Sequence, residues 1–250
     1  MSKPPKTRTA GEEKSPAFSP SPPKLGLLAR VLVRMFLALT VTPAILFFPA
    51  GTWKFWQAWV FLALALIPTF SVFFYFLKHD PQLLERRMHF KEQEIKQKRL
   101  LRCMSPLLLV AFLLPGFDHR LGWSRALLGA VPLTLTVFAE VVVLACFLSV
   151  FWVFEVNRFA ARTIRVEAGQ TVVSTGPYRI VRHPFYSGSI LLFLFTPLAL
   201  GSWVALPAFV LLVPFYVLRI LNEENVLRAE LSGYSDYCER TRYRLVPFVW

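Results

Sequence analysis

The apolar residues of this chain are gathered into long stretches, and the basic residues lie between them. Lys and Arg are absent from five stretches, which span residues 35–53, 55–77, 103–119, 126–157 and 183–218. A helix of about 20 apolar residues crosses a bilayer, and Gly201-Ser202 divides the last stretch into two short runs. The pattern therefore predicts an all-α integral membrane protein with about five to six transmembrane helices.

Turn-forming and charged residues set the expected ends of these helices. Residues 1–24 contain six prolines and little that is apolar, so they cannot offset the entropy cost of ordering and are predicted to form a disordered cytoplasmic tail. Transmembrane helices are expected to fill residues 25–155, and residues 156–250 to form a functional region with a helical hairpin. The first span should end at Pro49-Ala50-Gly51, the second run from about Trp56 to Leu77, the third end near Pro115, and the fourth run from about Ala126 to Phe154.

The net charge of +13 is distributed unevenly. If the N-terminus is cytoplasmic, 25 of the 28 basic residues fall on the cytoplasmic side, and Lys54, Arg120 and Arg125 fall on the other. Basic residues favour the cytoplasmic side of a membrane and are attracted to its anionic headgroups. This asymmetry predicts cytoplasmic N- and C-termini and argues against a nucleic-acid partner.

Three other polar features bear on the function of this chain. In the basic loop 78–102, Glu92 and Glu94 each precede a Lys by four residues, which suits a short surface helix or a solvated connector. Glu140 lies mid-span, where a carboxyl group is costly, and it makes either a structural hydrogen bond or a substrate contact. The three cysteines and four histidines are scattered without a CxxC pair, so neither a disulfide framework nor a metal site is expected.

One long polar stretch, residues 156–186, interrupts the apolar second half. Its glycines and prolines predict defined turns, and its Asn, Gln, His and Tyr side chains supply neutral polar groups beside aromatic ones. Histidine and tyrosine just before a membrane helix suit the mouth of a pocket between helices. They also suit interfacial anchors, so composition alone leaves both a site and a connector open.

Two motifs in this half carry a family resemblance. Gly176-Pro177-Tyr178 and the later run Arg182-His183-Pro184, with Tyr186 and Gly188, resemble the signature of the isoprenylcysteine carboxyl methyltransferase and phospholipid methyltransferase superfamily. After the hairpin, the run from Arg219 to Glu224 resembles the family's Arg followed by paired glutamates. Tyr234, Tyr237 and Arg240 are similar to its tyrosine-rich tail. The resemblance covers about residues 155–250 and is nearest to the bacterial-type integral membrane methyltransferases.

The resemblance implies that S-adenosyl-L-methionine is held in a cytoplasmic pocket made by the polar segment, the following helix and the C-terminal tail. The residues that it implies for cofactor binding are Gln170, Thr171, Val172, Val173, Gly176, Tyr178, His183, Pro184, Tyr186 and Glu223. Its implied catalytic residues are Arg219, Asn157 and Glu224. Arg219 and Asn157 would face the acceptor, and Glu224 or His183 would act as the base for an amine.

The implied reaction is carboxylate O-methylation or amine N-methylation of a lipophilic or membrane-delivered small molecule. An Arg fork suits a carboxylate acceptor, whereas an amine acceptor must also lose a proton to a base. Apart from Asn157, the chain shows little of the sequence that precedes the donor motif in eukaryotic isoprenylcysteine enzymes, which argues against prenylcysteine as acceptor.

Two alternatives belong to other functional classes. The first is an NADPH-dependent sterol-type membrane reductase, a class with a similar His-Pro-x-Tyr run that is commonly followed by Gly-Glu. In this chain Gly188 is followed by Ser189 instead. The second alternative is a non-catalytic membrane scaffold that keeps the motif for packing.

Overall fold

The computed structural model describes residues 24–88, 95–157 and 169–250, and its regular structure within these ranges is helical, without strands. The helices are α1 (Lys24–Ala50), α2 (Trp56–His79), α3 (Pro81–Met88), α4 (Ile95–Leu121), α5 (Trp123–Leu127), α6 (Leu133–Val156), α7 (Pro184–Ala199), α8 (Leu206–Val210), α9 (Val213–Glu230) and α10 (Tyr234–Arg240). A 3-10 turn, Gly176–Arg179, precedes α7. The prediction of an all-α protein is confirmed.

Five helical segments within the described ranges are long and apolar enough to cross a membrane: α1, α2, α4, α6 and the continuous segment Leu206–Glu230, which contains α8 and α9. α7 is also apolar but has only 16 residues, fewer than the roughly 20 that a straight crossing needs. Large apolar side chains such as Phe36, Phe138 and Val141 are exposed, as expected for helices that face lipid. The predicted five to six apolar helices are therefore present.

Two helix ends differ from the sequence prediction. α4 continues through Pro115 to Leu121 because a membrane helix tolerates an internal proline when its surroundings satisfy the freed backbone groups. The fourth span begins at Leu133 rather than near Ala126. Gly129 adopts φ +84° and Pro132 precedes the first residue of α6, so the chain turns between α5 and α6.

Hydrogen bonds at one end of the bundle join the loops that connect its helices. Asp118 Oδ1 accepts the Ser124 N–H at 2.7 Å, and Ser124 Oγ accepts the backbone N–H groups of Trp203 and Val204 at 2.9 and 3.1 Å. The turn between α7 and α8 therefore lies against the α4–α5 junction. We call this the far end of the bundle and the other, which holds the two sequence motifs, the motif end.

Glu140 lies within the apolar interior of α6. Its residue surface is 7% exposed, and its Oε1 atom accepts no hydrogen bond from the described residues. The neighbouring Ala139 and Val143 pack in a cluster with Ala58, near the start of α2, and Leu200, at the end of α7. Glu140 thus sits toward the far end, and its contact with a substrate stays a prediction.

Several predictions concern residues outside the described ranges. The proposed tail lies there except for Lys24, which begins α1. Glu92 and Glu94 lie there too, although α3 and the first turns of α4 make the flanking parts of the basic loop helical. The tail, the surface helix and the domain boundaries remain predictions.

Gly116 allows α4 to approach α1 closely. A Cβ atom at this position would lie 2.5 Å from Pro49 Cγ and 2.6 Å from the Leu46 carbonyl oxygen, so Gly116→Ala must push the helices apart. We expect a loss of about 2 kcal/mol in the free energy of unfolding, measured by denaturant unfolding in detergent. Gly26→Ala is the matched control, since nothing lies within 4 Å of its added Cβ, and equal stability of the two variants would contradict the close packing.

Candidate functional site

The Arg182-His183-Pro184 run places its polar groups at the start of α7. Pro184 is the first helical residue, a position where the missing N–H has no intrahelical partner to lose. His183 is the N-cap residue, and Tyr186 lies three residues later in the first turn. The run therefore presents a guanidinium, an imidazole and a phenol at one helix end.

A buried carboxylate, Glu224, lies opposite this helix end. Its Oε1 atom is 2.8 Å from Arg182 Nη1 and 3.2 Å from His183 Nε2. Its Oε2 atom is 3.1 Å from Arg244 Nε and 3.9 Å from Arg228 Nη2. The Glu224 side chain is only 3% exposed, and a charge buried this deeply requires such partners. Glu224 is therefore an anchor that joins α9, the start of α7 and the C-terminal segment.

The adjacent Glu223 enters a second network. Successive residues of a helix point about 100° apart, so the two carboxylates face different partners. Tyr186 Oη donates to Glu223 Oε2 at 2.6 Å and accepts from Arg219 Nε at 2.9 Å. Arg219 Nη1 donates to Gln97 Oε1 of α4 at 3.0 Å. This network links three helices, and both Arg219 and Gln97 are buried.

The polar segment before α7 is held by hydrogen bonds on both sides. Asn157 Nδ2, just after α6, donates to Tyr178 Oη at 2.9 Å, and the Tyr178 carbonyl accepts from Tyr237 Oη of α10 at 2.7 Å. Burial raises the pKa of Tyr237 well above its usual range, so its hydroxyl stays protonated and able to donate. The turn at Gly176 favours glycine for two reasons. Its φ of +57° is a backbone conformation that other residues rarely adopt, and an added Cβ would lie only 2.9 Å from Val156.

The C-terminal segment, residues 241–250, lies across the start of α7. The Arg182 and His183 N–H groups donate to the carbonyls of Tyr243 and Arg244, both at 2.9 Å. Ser187 Oγ donates to the Leu245 carbonyl at 2.7 Å. These bonds hold the C-terminal segment in place, so that the Arg244 side chain contacts Glu224. The C-terminal segment therefore supplies one of the cations around that buried carboxylate.

The structure brings most of the predicted site residues to the motif end. Asn157, Tyr178, His183, Tyr186, Arg219, Glu223 and Glu224 are joined by the hydrogen bonds above, Pro184 is buried at the start of α7, and Val172 packs with Tyr178 against α10. Gln170 and Val173 are half-buried in the segment before the 3-10 turn. Thr171 is exposed, and the structure does not bring it into the hydrogen-bond networks described above.

Sequence reasoning missed three residues that complete these networks. Gln97 lies in the basic loop, where no pattern marked it, yet it is 1% exposed. Arg182 belongs to the Arg-His-Pro motif, but the resemblance implies no role for it. Arg244 had a weaker signal, as one of the basic residues that follow the tyrosine-rich tail.

Comparison with known proteins matches the region that holds most of this site. The model of the phospholipid methyltransferase family matches residues 131–232, which run from just before α6 to just after α9 and include both glutamates. The chain is also 30% identical over 94 residues to the Delta(14)-sterol reductase of Mus musculus, an alignment that covers 35% of this chain and 22% of the reductase. The chain thus spans less than a quarter of that curated relative.

The family match includes the whole run from the Arg-His-Pro motif to the paired glutamates, together with the helices that carry them. Residues 131–232 of this membrane protein are therefore similar to the phospholipid methyltransferase family.

Proposed function

We propose that this protein is an integral membrane methyltransferase that uses S-adenosyl-L-methionine to methylate a lipophilic or membrane-delivered small molecule. The observation that carries the proposal is the contact between the two motif regions. They lie about forty residues apart in sequence, yet His183 Nε2 is 3.2 Å from Glu224 and Tyr186 Oη is 2.6 Å from Glu223. The basic residues of the adjoining segments support an orientation with this end at the cytoplasmic face.

The residues at the motif end fit such a cofactor. Tyr234 Oη and Arg182 Nε are buried polar atoms that make no hydrogen bond within the described residues, and burial without a partner is costly unless a ligand supplies one. Tyr178 and Val172 add aromatic and apolar surface beside Tyr234. The amino-acid part of a sulfonium donor needs hydrogen-bonding groups, and its adenosine part needs aromatic and apolar surface.

We assign the cofactor-binding residues as the motifs suggest. Gln170, Thr171, Val172, Val173 and Tyr178 would line the adenosine portion, and Gly176, His183, Pro184 and Tyr186 would close around it. Glu223 would hold a polar group of the cofactor, while Arg219 and Asn157 would face the acceptor.

The bound donor supplies a methyl group on a positively charged sulfur. The chain must then align the acceptor and exclude water, and such orientation can account for about 7–11 kcal/mol of a barrier. A carboxylate acceptor, held by the Arg219 guanidinium, requires no base. An amine acceptor requires proton removal, for which we favour His183 over Glu224, because cations already surround the Glu224 carboxylate.

Binding of the methyl donor tests this proposal directly. His183→Ala and Glu223→Ala should each weaken binding of S-adenosyl-L-methionine at least about tenfold, or about 1.4 kcal/mol, measured calorimetrically on protein in nanodiscs. Glu230→Ala, at the exposed end of α9, should leave the affinity unchanged. Unchanged affinity in both site variants would refute the assignment of these residues, and a wild-type protein that binds no methyl donor would refute the function.

An NADPH-dependent sterol-type reductase is the second candidate, because part of the chain is 30% identical to the Delta(14)-sterol reductase. A thermal-shift comparison separates the two, since a ligand at 100 times its dissociation constant stabilises the folded protein by about 2.7 kcal/mol. S-adenosyl-L-methionine should raise the melting temperature and NADPH should not. The reverse result would favour the reductase.

A further inference from the structure

The guanidinium of Arg182 is buried, and only some of its N–H groups have partners among the described residues. Its side chain is 6% exposed, Nη1 lies 2.8 Å from Glu224 Oε1, and Nη2 donates to the Arg242 carbonyl at 2.9 Å. The Nε–H group has no acceptor among the described residues. Because arginine stays charged, this buried donor calls for an acceptor that the described residues do not supply.

Tyr234 presents a second buried donor in the same region. It begins α10, is 4% exposed and packs in a cluster with Leu231, Tyr237, Val172 and Tyr178. Its hydroxyl makes no hydrogen bond with the described residues. Burial, reinforced by the carboxylate charge of Glu224, raises the pKa of Tyr234 far above its usual range, so the group remains a neutral hydroxyl.

We propose that Arg182 Nε and Tyr234 Oη together bind the carboxylate of the methyl donor's amino-acid part. This assignment rests on the proposed function and gives a binding role to two residues to which the resemblance assigns none. A carboxylate is the one anionic group of the donor, and it accepts from a guanidinium and a hydroxyl at once.

The local charge balance can accommodate a further anion. Glu224 is surrounded by three arginines and His183, and the neighbouring Glu223 shares its hydroxyl partner Tyr186 with Arg219. Cations therefore outnumber carboxylates around Arg182. A ligand carboxylate there would satisfy both unused donors without leaving a buried negative charge uncompensated.

Changes to the ligand and to the protein test the same contact. S-adenosylhomocysteine and its analogue without the carboxylate are titrated calorimetrically into the full-length protein in nanodiscs. Wild type should bind the analogue at least about tenfold more weakly, the scale of one hydrogen bond to a charged group. Tyr234→Phe should weaken S-adenosylhomocysteine binding about tenfold and leave the affinity for the analogue unchanged.

Tyr243→Phe, a half-buried tyrosine of the C-terminal segment, is the matched control and should bind both ligands as wild type does. The proposal is overturned if wild type binds the two ligands equally, or if Tyr234→Phe loses affinity for both to the same extent. The ligand comparison needs no variant, so it can overturn the proposal even if Tyr234→Phe fails to fold. A wild-type protein that binds neither S-adenosylhomocysteine nor S-adenosyl-L-methionine would instead refute the proposed function.

Discussion

Glu224→Gln is expected to destabilise this protein by about 3–5 kcal/mol, because removing one partner of a buried ion pair leaves the others uncompensated. The substitution keeps the size of the side chain and removes only its charge. Arg182, which is nearly as buried as Glu224, would then face Arg244 without the anion that separates them. Denaturant unfolding in detergent measures the loss.

Glu230→Gln is the matched control for this prediction. It removes the same charge from the exposed end of the same helix and should change stability by less than about 0.5 kcal/mol. Adding Arg244→Gln to Glu224→Gln should restore part of the loss, because one of the uncompensated cations is removed. If Glu224→Gln keeps wild-type stability and loses only methyl transfer, Glu224 acts as a base and not as an anchor.

Much of the fold follows from physical constraints that are local in sequence. An apolar stretch long enough to cross a bilayer must satisfy its own backbone hydrogen bonds and therefore forms a helix. The second span, expected from about Trp56 to Leu77, runs from Trp56 to His79. Gly201-Ser202 divides the last apolar stretch as expected, and the resulting turn returns the chain to the motif end.

The helix ends that sequence analysis placed wrongly depend on packing instead. Pro115 was expected to end α4, but the helix continues to Leu121. Just beyond Pro115, Gly116 packs closely against Pro49 of α1. Pairing between distant residues is equally invisible in a single sequence. Gln97 and Arg219 are 122 positions apart, and nothing in the basic loop around Gln97 distinguishes a buried amide from a solvated one.

The candidate site extends beyond the segment that matches the family. Gln97 lies before residues 131–232 and Arg244 lies after them. Each nevertheless donates or accepts a hydrogen bond with a residue of α9, Gln97 with Arg219 and Arg244 with Glu224. Both flanking elements therefore fix side chains that the matched segment supplies. This explains why the motifs alone could indicate His183 and Glu223 but not the partners that hold them.

Arg219→Lys is expected to lower methyl transfer about 100-fold, equivalent to about 2.7 kcal/mol of barrier. The guanidinium donates directional hydrogen bonds to Tyr186 Oη and Gln97 Oε1, and a lysine ammonium keeps the charge but cannot reproduce that planar geometry. Transfer is measured with a labelled methyl donor and membrane extracts as the source of acceptor, and donor affinity is measured separately.

Gln97→Leu tests the same network from α4, outside the family match. It removes the Gln97 Oε1 atom that accepts from Arg219 Nη1, so transfer should fall about tenfold, the scale of one hydrogen bond to a charged group, while donor affinity stays near that of wild type. Gln97→Glu is the matched variant, because a carboxylate can still accept from Arg219 and should preserve most of the activity. Equal losses in both Gln97 variants, or a fall in donor affinity as large as the fall in transfer, would show that this network does not act by positioning Arg219 for the acceptor.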